Sequence, residues 1–276
     1  MTLRKNGLAK LGLATAACLA LMTGAAFAMP VPWGTNMQPA VTPVMADIES
    51  FHRELLIIIT LVCAVVLGLL LWIMIRYNSR ANPVPSQVSH NTILEVVWTV
   101  VPVIILVVIA IPSFKLLYYE MTLPKADVTI RAIGKQWFWT YQYPGQGDWQ
   151  FDSLVLTPEQ AKARNEPYLL GVDNVVVVPV NRNVIVETVG SDVIHSWAVP
   201  QFGVKMDAVP GRINKTWFRA TKTGTYYGQC SELCGARHAF MPIEVKVVSQ
   251  ADYDAWIANA KKKFARNGDA TKLAAK

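Results

Sequence analysis

Apolar residues fall in three long runs, all before residue 120, and then give way to short alternating segments. The first run, residues 11–22, follows Arg4, Lys5 and Lys10 and precedes Ala26-Phe27-Ala28. A basic start, a short apolar centre and a small-x-small end predict a secretory signal peptide over residues 1–28. Residues 55–75 and 96–117 form the other two runs. The first of these has no charge and the second only Lys115, near its end. A membrane-crossing helix needs about 20 apolar residues, so both runs read as transmembrane helices. Pro102 and Pro112 lie in the second, where membrane helices tolerate them.

The charges around the runs predict an orientation. The loop at residues 76–95 carries Arg76 and Arg80 before Glu95, whereas Asp47, Glu49, Arg53 and Glu54 precede the first run. Excess Lys/Arg marks the cytoplasmic side. The loop is therefore expected inside, and the segment at residues 29–54 and everything after the second run outside, in agreement with the signal peptide. Glu95 opens the second run and leaves two readings, an interfacial acid or a proton-path residue.

After residue 122 the period changes to two. Residues 128–133, 137–143, 175–180, 184–189, 215–220, 225–228 and 243–248 read as short strands with turn residues between them, an all-β sandwich or barrel. Residues 152–172 interrupt this pattern as an excursion, with a helix starting at Thr157-Pro158-Glu159. Ser249 and Asp252 resemble a capping box, and Tyr253, Trp256, Ile257 and Ala260 give one helical face, predicting a helix over 250–264 and a polar tail to residue 276.

Charge adds little to this picture. The formal net charge of +7 falls to +4 once residues 1–28 are removed, and much of the remainder sits in the tail. With no basic stripe interleaved with aromatics, nucleic acid is not an expected partner. The four cysteines matter more. Cys18 lies in the signal segment, where the readings are a passive residue or a lipidation site. Cys63 lies in the first span, where packing is its plain role. Cys230 and Cys234 stand in "CSELCGARHAFM", followed by His238 and Met241, with His195 in a separate segment. Two exported cysteines read either as a disulfide or as metal ligands. The neighbours favour a metal: thiolate, imidazole and thioether together suit copper, whereas zinc has no use for a thioether and calcium and magnesium prefer oxygen. A β-sandwich carrying a histidine at a strand end and a Cys–His–Met loop follows the plan of blue-copper proteins. A second cysteine allows both thiolates to bridge two coppers.

"CSELCGARHAFM", "DVIHSWAVP", "DAVPGR", "YYGQC", "ANPVP" and "HNTILEVVWTVVP" together resemble cytochrome c oxidase subunit II, with its binuclear copper centre, CuA. The resemblance covers nearly all of the chain after residue 28. It implies a two-helix transmembrane hairpin followed by an all-β cupredoxin-like Greek-key sandwich (122–249) with a C-terminal helix and basic tail (250–276). It implies two copper ions held by His195, Cys230, Cys234, His238, Met241 and the backbone carbonyl of Glu232, and a magnesium ion shared with subunit I through the Glu232 carboxylate. In "GKQWFWTYQY", Trp137 matches the tryptophan that takes electrons from cytochrome c, while Trp139 suits the core. Asp152, Asp173 and Asp192 match acids that dock the cytochrome, and Glu95 matches the mouth of a proton path. Lys135 stands where the family usually has histidine, and Gln142 where it often has an acid, so a thinner docking patch is expected, with a cytochrome that is soluble or membrane-tethered. The implied place is a bacterial inner membrane, beside subunit I, with oxygen reduced to water in that subunit and protons translocated. Quinol oxidase subunit II shares the architecture but lacks the copper ligands, and a copper-delivery protein has no need of Glu232, Trp137 or Glu95.

Overall fold

The computed structural model describes residues 33–147 and 149–273, with side chains described as far as Phe264. The signal segment and Cys18 lie outside them. Two long helices come first. Helix α1 (Pro43–Arg76) starts at Thr42, whose side chain accepts from the Met45 N–H, with Pro43 pre-set in the first turn. Helix α2 (Thr92–Met121) starts at Asn91, whose side chain accepts from Ile93 and Leu94. Both are long and apolar enough to cross a membrane. At about 1.5 Å per residue, α1 is about 51 Å long, well beyond a hydrocarbon core of about 30 Å.

The helix extends beyond the expected span at its N-terminal end. Residues 43–54, expected as a segment ahead of the first span, continue its helix on the domain side. Their N-terminal end docks on the folded domain. Val41, Val44 and Met45 are buried, Thr42 Oγ1 donates to the Phe202 carbonyl at 2.8 Å, and the Thr221 N–H donates to the Val41 carbonyl at 2.9 Å. The end of α2 is held too, by Trp217 Nε1 donating to the Glu120 carbonyl and by an edge-on Tyr119–Trp217 contact. At the other end Arg76 is the last residue of α1 and Glu95 lies inside the first turn of α2. Cys63 is exposed on α1 within this chain.

Ten strands follow among the described residues: β1 (Val128–Lys135), β2 (Phe138–Gln142), β3 (Gln150–Ser153), β4 (Val176–Pro179), β5 (Val184–Gly190), β6 (His195–Val199), β7 (Val204–Ala208), β8 (Asn214–Phe218), β9 (Gly224–Cys230) and β10 (Pro242–Val248). They form two five-stranded sheets, β3-β2-β1-β5-β8 and β4-β10-β9-β6-β7, packed as a cupredoxin-like sandwich. Pairing is mostly antiparallel, with β1–β5 and β4–β10 parallel. Strands β3, β6 and β7 were not expected. In β6 every residue is buried, so neither face shows the alternation that marks a half-exposed strand, and His195 and Ser196 break the apolar run that would replace it.

Helix α3 (Pro158–Arg164) lies within the excursion and is capped by Thr157 and Gln160 in a reciprocal box, as its start signal predicted. Helix α4 (Gln250–Leu273) runs nine residues beyond the expected end. Ser249 Oγ accepts from the Asp252 N–H and donates to the Asp252 carboxylate. Tyr253, Trp256, Ile257, Ala260 and Phe264 pack α4 against an aromatic cluster of Tyr143, Trp149 and Phe151.

The excursion closes over a buried carboxyl. Strand β10 turns Ile243, Val245 and Val247 into the core and Glu244 to its other face, where the Val172 N–H donates to it at 2.9 Å. Burial pushes its pKa up to about 7; the Val172 N–H, Lys246 and Arg164 only partly offset that, and Glu166 adds to it. Tyr227, opposite Glu244 on β9, donates instead to Glu166. Between the ordinary carboxylate range and pH 7 the folded chain keeps this proton and the unfolded chain has lost it. Stability therefore falls as pH rises through that window and levels off above it. Glu244→Gln, which keeps an acceptor for Val172, is expected to flatten this slope and to raise stability at pH 8 by on the order of 1–2 kcal/mol. Thermal unfolding of the domain at pH 5 and 8 checks this; an unchanged slope would place the titration elsewhere.

Candidate metal centre

Three segments converge at one end of the sandwich. Strand β6 begins with His195, β9 ends with Cys230, and the following loop carries Cys234, a 3₁₀ turn (His238–Phe240) and then Met241, immediately before β10. Register explains the convergence: β6 and β9 pair Trp197 with Cys230, and the Ser231 N–H donates to the Ser196 carbonyl, which brings the loop back across His195.

The donor atoms form a chain. His195 Nδ1 lies 3.9 Å from Cys230 Sγ, Cys230 Sγ lies 3.9 Å from Cys234 Sγ, and Cys234 Sγ lies 3.4 Å from His238 Nδ1. Met241 Sδ approaches Cys234 Sγ at 3.5 Å, and the Glu232 carbonyl lies 3.4 Å from Cys230 Sγ. Each sulfur thus has one imidazole and one weaker donor beside it. The two thiols are free and far beyond the 2.03–2.05 Å of a disulfide bond. His195, Cys230 and Cys234 are buried, and their donor atoms lie within 4.8 Å of one another. This soft and borderline set suits copper better than zinc, calcium or magnesium.

The two thiols ionise unequally. Burial opposes ionisation of Cys230, but hydrogen bonding with His195 and with the Glu232 and Ser196 backbone outweighs it and draws the thiol down to about 7. Burial and the neighbouring Cys230 thiolate push Cys234 up to about 12. A metal ion bound by both displaces the remaining proton.

Asp192, expected as a docking acid, also makes hydrogen bonds within the site. Its carboxylate accepts from His195 Nε2 at 2.8 Å, from the Val193 N–H at 2.7 Å and from the Gln136 N–H at 2.7 Å. Its side chain is 32% exposed. Burial opposes its charge, but these three bonds hold the carboxyl below the usual range. Burial also opposes the His195 charge, but its bonds to Cys230 and Asp192 raise its pKa. Asp192 thereby fixes the ring so that Nδ1 faces the sulfurs. The Asp-x-x-His spacing was a signal for this role that sequence reasoning did not use.

Gly134 was also missed. A Cβ there would come within 2.6 Å of the His195 ring, so only glycine leaves the imidazole its place. Trp139, fully buried, meets that ring edge-on and donates to the Met241 carbonyl. Trp137 is partly buried at the rim; its Nε1 donates to the Cys234 carbonyl at 3.2 Å, beside Gln136 Nε2 at 2.9 Å.

Other expected residues lie apart from this cluster. Asp152, on β3, accepts from Thr140, and Asp173 caps the end of the excursion by accepting from Leu154 and Asn174. Asn174 bonds both the Asp152 carbonyl and Lys263, so a cation stands near this acid pair. Gln142 belongs to a ladder across one sheet, Lys215–Glu187–Arg131–Gln142–Gln150. Glu95 is exposed in the first turn of α2, where an acid also complements the helix dipole. The Glu232 side chain is exposed.

Fold and site together define a two-pass membrane protein whose cupredoxin-like domain carries a sulfur–imidazole ligand set. Residues 128–248 match the family described as cytochrome c oxidase subunit II, periplasmic domain, and residues 30–116 match its transmembrane domain. A "Probable cytochrome c oxidase subunit 2" from Rickettsia bellii is 50% identical over 246 residues, spanning 89% of this chain and 91% of the relative. Cytochrome c oxidase subunit 2 of Cereibacter sphaeroides is 42% identical over 273 residues, spanning 93% and 90%. The crystallised periplasmic domain of subunit II of cytochrome oxidase (CoxB) from Bradyrhizobium japonicum is 56% identical, covers 52% of this chain and 99% of that chain, and superimposes with a TM-score of 0.49. The chain belongs to the cytochrome c oxidase subunit II family, and so is one subunit of an oxidoreductase complex.

Proposed function

We propose that this chain accepts electrons from cytochrome c on the external face and passes them to subunit I through a CuA centre. The observation that carries the proposal is the row His195–Cys230–Cys234–His238, flanked by Met241 and the Glu232 carbonyl. These six residues would hold two coppers, and the bound pair would supply a one-electron couple shared between both ions. Gly134, Trp139 and Asp192 position His195, and burial keeps water from the thiols.

Trp137 is the proposed point of electron acceptance, since one hydrogen bond joins its ring to the Cys234 backbone. Asp152 and Asp173 are the proposed docking acids, with Asp192 contributing only the part of its carboxylate that its three bonds leave exposed. Lys263 and Arg164, close to the acid pair, thin the negative field that would steer a basic partner. The exposed Glu232 carboxylate is the proposed magnesium ligand toward subunit I, and Glu95 the proposed mouth of a proton path there. Residues 1–28 are the proposed signal peptide, the membrane a bacterial inner membrane, and the domain side external, by the positive-inside argument.

Electron paramagnetic resonance of the copper-loaded domain, residues 122–276, tests this. One unpaired electron shared by two coppers is expected to give a seven-line hyperfine pattern with two coppers per chain. A four-line mononuclear spectrum, or a preference for zinc, would overturn the assignment.

A further inference from the structure

Where α1 and α2 leave the hydrocarbon on the domain side, a cavity of about 410 Å³ opens between them. Its walls are one stripe from each helix. Asp47, Phe51 and Glu54 recur on α1 at spacings of four and three, and Pro112, Lys115 and Tyr119 on α2 at spacings of three and four, so each set shares a helical face. These faces point at each other yet carry three charges, which is not how two spans pack when they only fill space. Among the described residues neither acid forms an ion pair with Lys115, so the charges stand around the cavity without cancelling across it. All three are exposed.

Depth narrows what could occupy it. Glu54 immediately precedes the uncharged run and Lys115 lies near the end of the second run. Asp47 lies seven residues beyond Glu54, about 10 Å outward along the helix. That interval spans the headgroup layer, which extends about 5–8 Å beyond the hydrocarbon on each side, and puts Asp47 at its outer edge. Because the helices are antiparallel, Glu54 and Pro112 form the deep end, Asp47 and Tyr119 the outer rim, and Lys115 lies between.

We propose that this cavity binds the headgroup of a zwitterionic phospholipid bearing a primary ammonium, a phosphatidylethanolamine, at the domain-side surface of the bilayer. Lys115 takes the phosphodiester as a point-charge donor. The ammonium, tethered to that phosphate by two carbons, falls on Asp47 or Glu54, one to either side of Lys115. Its three N–H donors suit carboxylate acceptors, and a choline headgroup has none to offer. Two acids against one base leave the site net negative, which selects against anionic lipids. The apolar wall of Phe51, Pro112 and Leu116 meets the glycerol and upper acyl chain.

Native mass spectrometry of the purified intact oxidase, delipidated and then offered ethanolamine, choline or glycerol phospholipids in turn, tests the site. The wild type is expected to retain one ethanolamine lipid that Asp47→Asn/Glu54→Gln and Lys115→Gln each lose, with affinity about tenfold weaker. Equal retention by variants with intact haem and copper content would overturn the proposal. Wild-type binding of choline or glycerol lipids as tight as ethanolamine would do the same, and that comparison needs no variant to fold. Protection of Asp47→Cys from a water-soluble maleimide in the delipidated oxidase would show that another subunit fills the cavity, and would also overturn it.

Discussion

Replacing Cys230 with serine is expected to abolish the two-copper spectrum and, with it, oxygen uptake driven by reduced cytochrome c. Cys230 is the sulfur nearest His195 and the Glu232 carbonyl, and hydrogen bonding with His195 and the neighbouring backbone favours its thiolate. A serine hydroxyl at that place has neither the softness nor the acidity of a thiolate. The loss should exceed the roughly 10–100-fold typical of removing an outer partner of a ligand. Cys234→Ser should behave alike if both sulfurs bridge. If one sulfur served only as a structural thiol, its variant would keep a four-line copper signal and measurable turnover. Both variants should stay folded, because the exchange is nearly isosteric and the surrounding strands pair through their backbones.

The second large effect is expected at Asp192. Its carboxylate holds His195 Nε2 and the Gln136 N–H together, so Asp192→Ala frees both the imidazole and the segment that carries Trp137. Copper affinity should drop by about 10–100-fold. Asp192→Asn, which keeps one acceptor, should recover part of it. A docking acid predicts something else: unchanged copper content, a raised KM for the cytochrome and a weaker dependence of rate on salt. Copper titration beside turnover at two ionic strengths separates the roles, and full copper affinity in Asp192→Ala would return Asp192 to the docking patch.

Much of the site was legible because its chemistry is local. Cys230, Cys234, His238 and Met241 lie within one short stretch, and their spacing and softness point to copper. The membrane runs were legible for a similar reason, since uncharged length alone meets the demand of the bilayer. Strand β6 was not, because alternation fails when both faces are covered. The bonds from Asp192 to His195 and Gln136 were not legible from the resemblance, because they join segments far apart in the chain or depend on the fold of the turn before β6.

Sequence by itself determined the two apolar spans, the β-rich domain and which sulfur and imidazole side chains are candidate ligands, because each depends on residue type at short range. Only the tertiary structure decided that His195 reaches Cys230, since these positions meet through β6–β9 pairing and not through spacing. It likewise decided that Gly134 leaves room for that imidazole, and that Asp47, Glu54 and Lys115 surround one cavity. These are contacts between segments far apart in the chain, and the packing of whole elements, not the residues at either end, sets their distance.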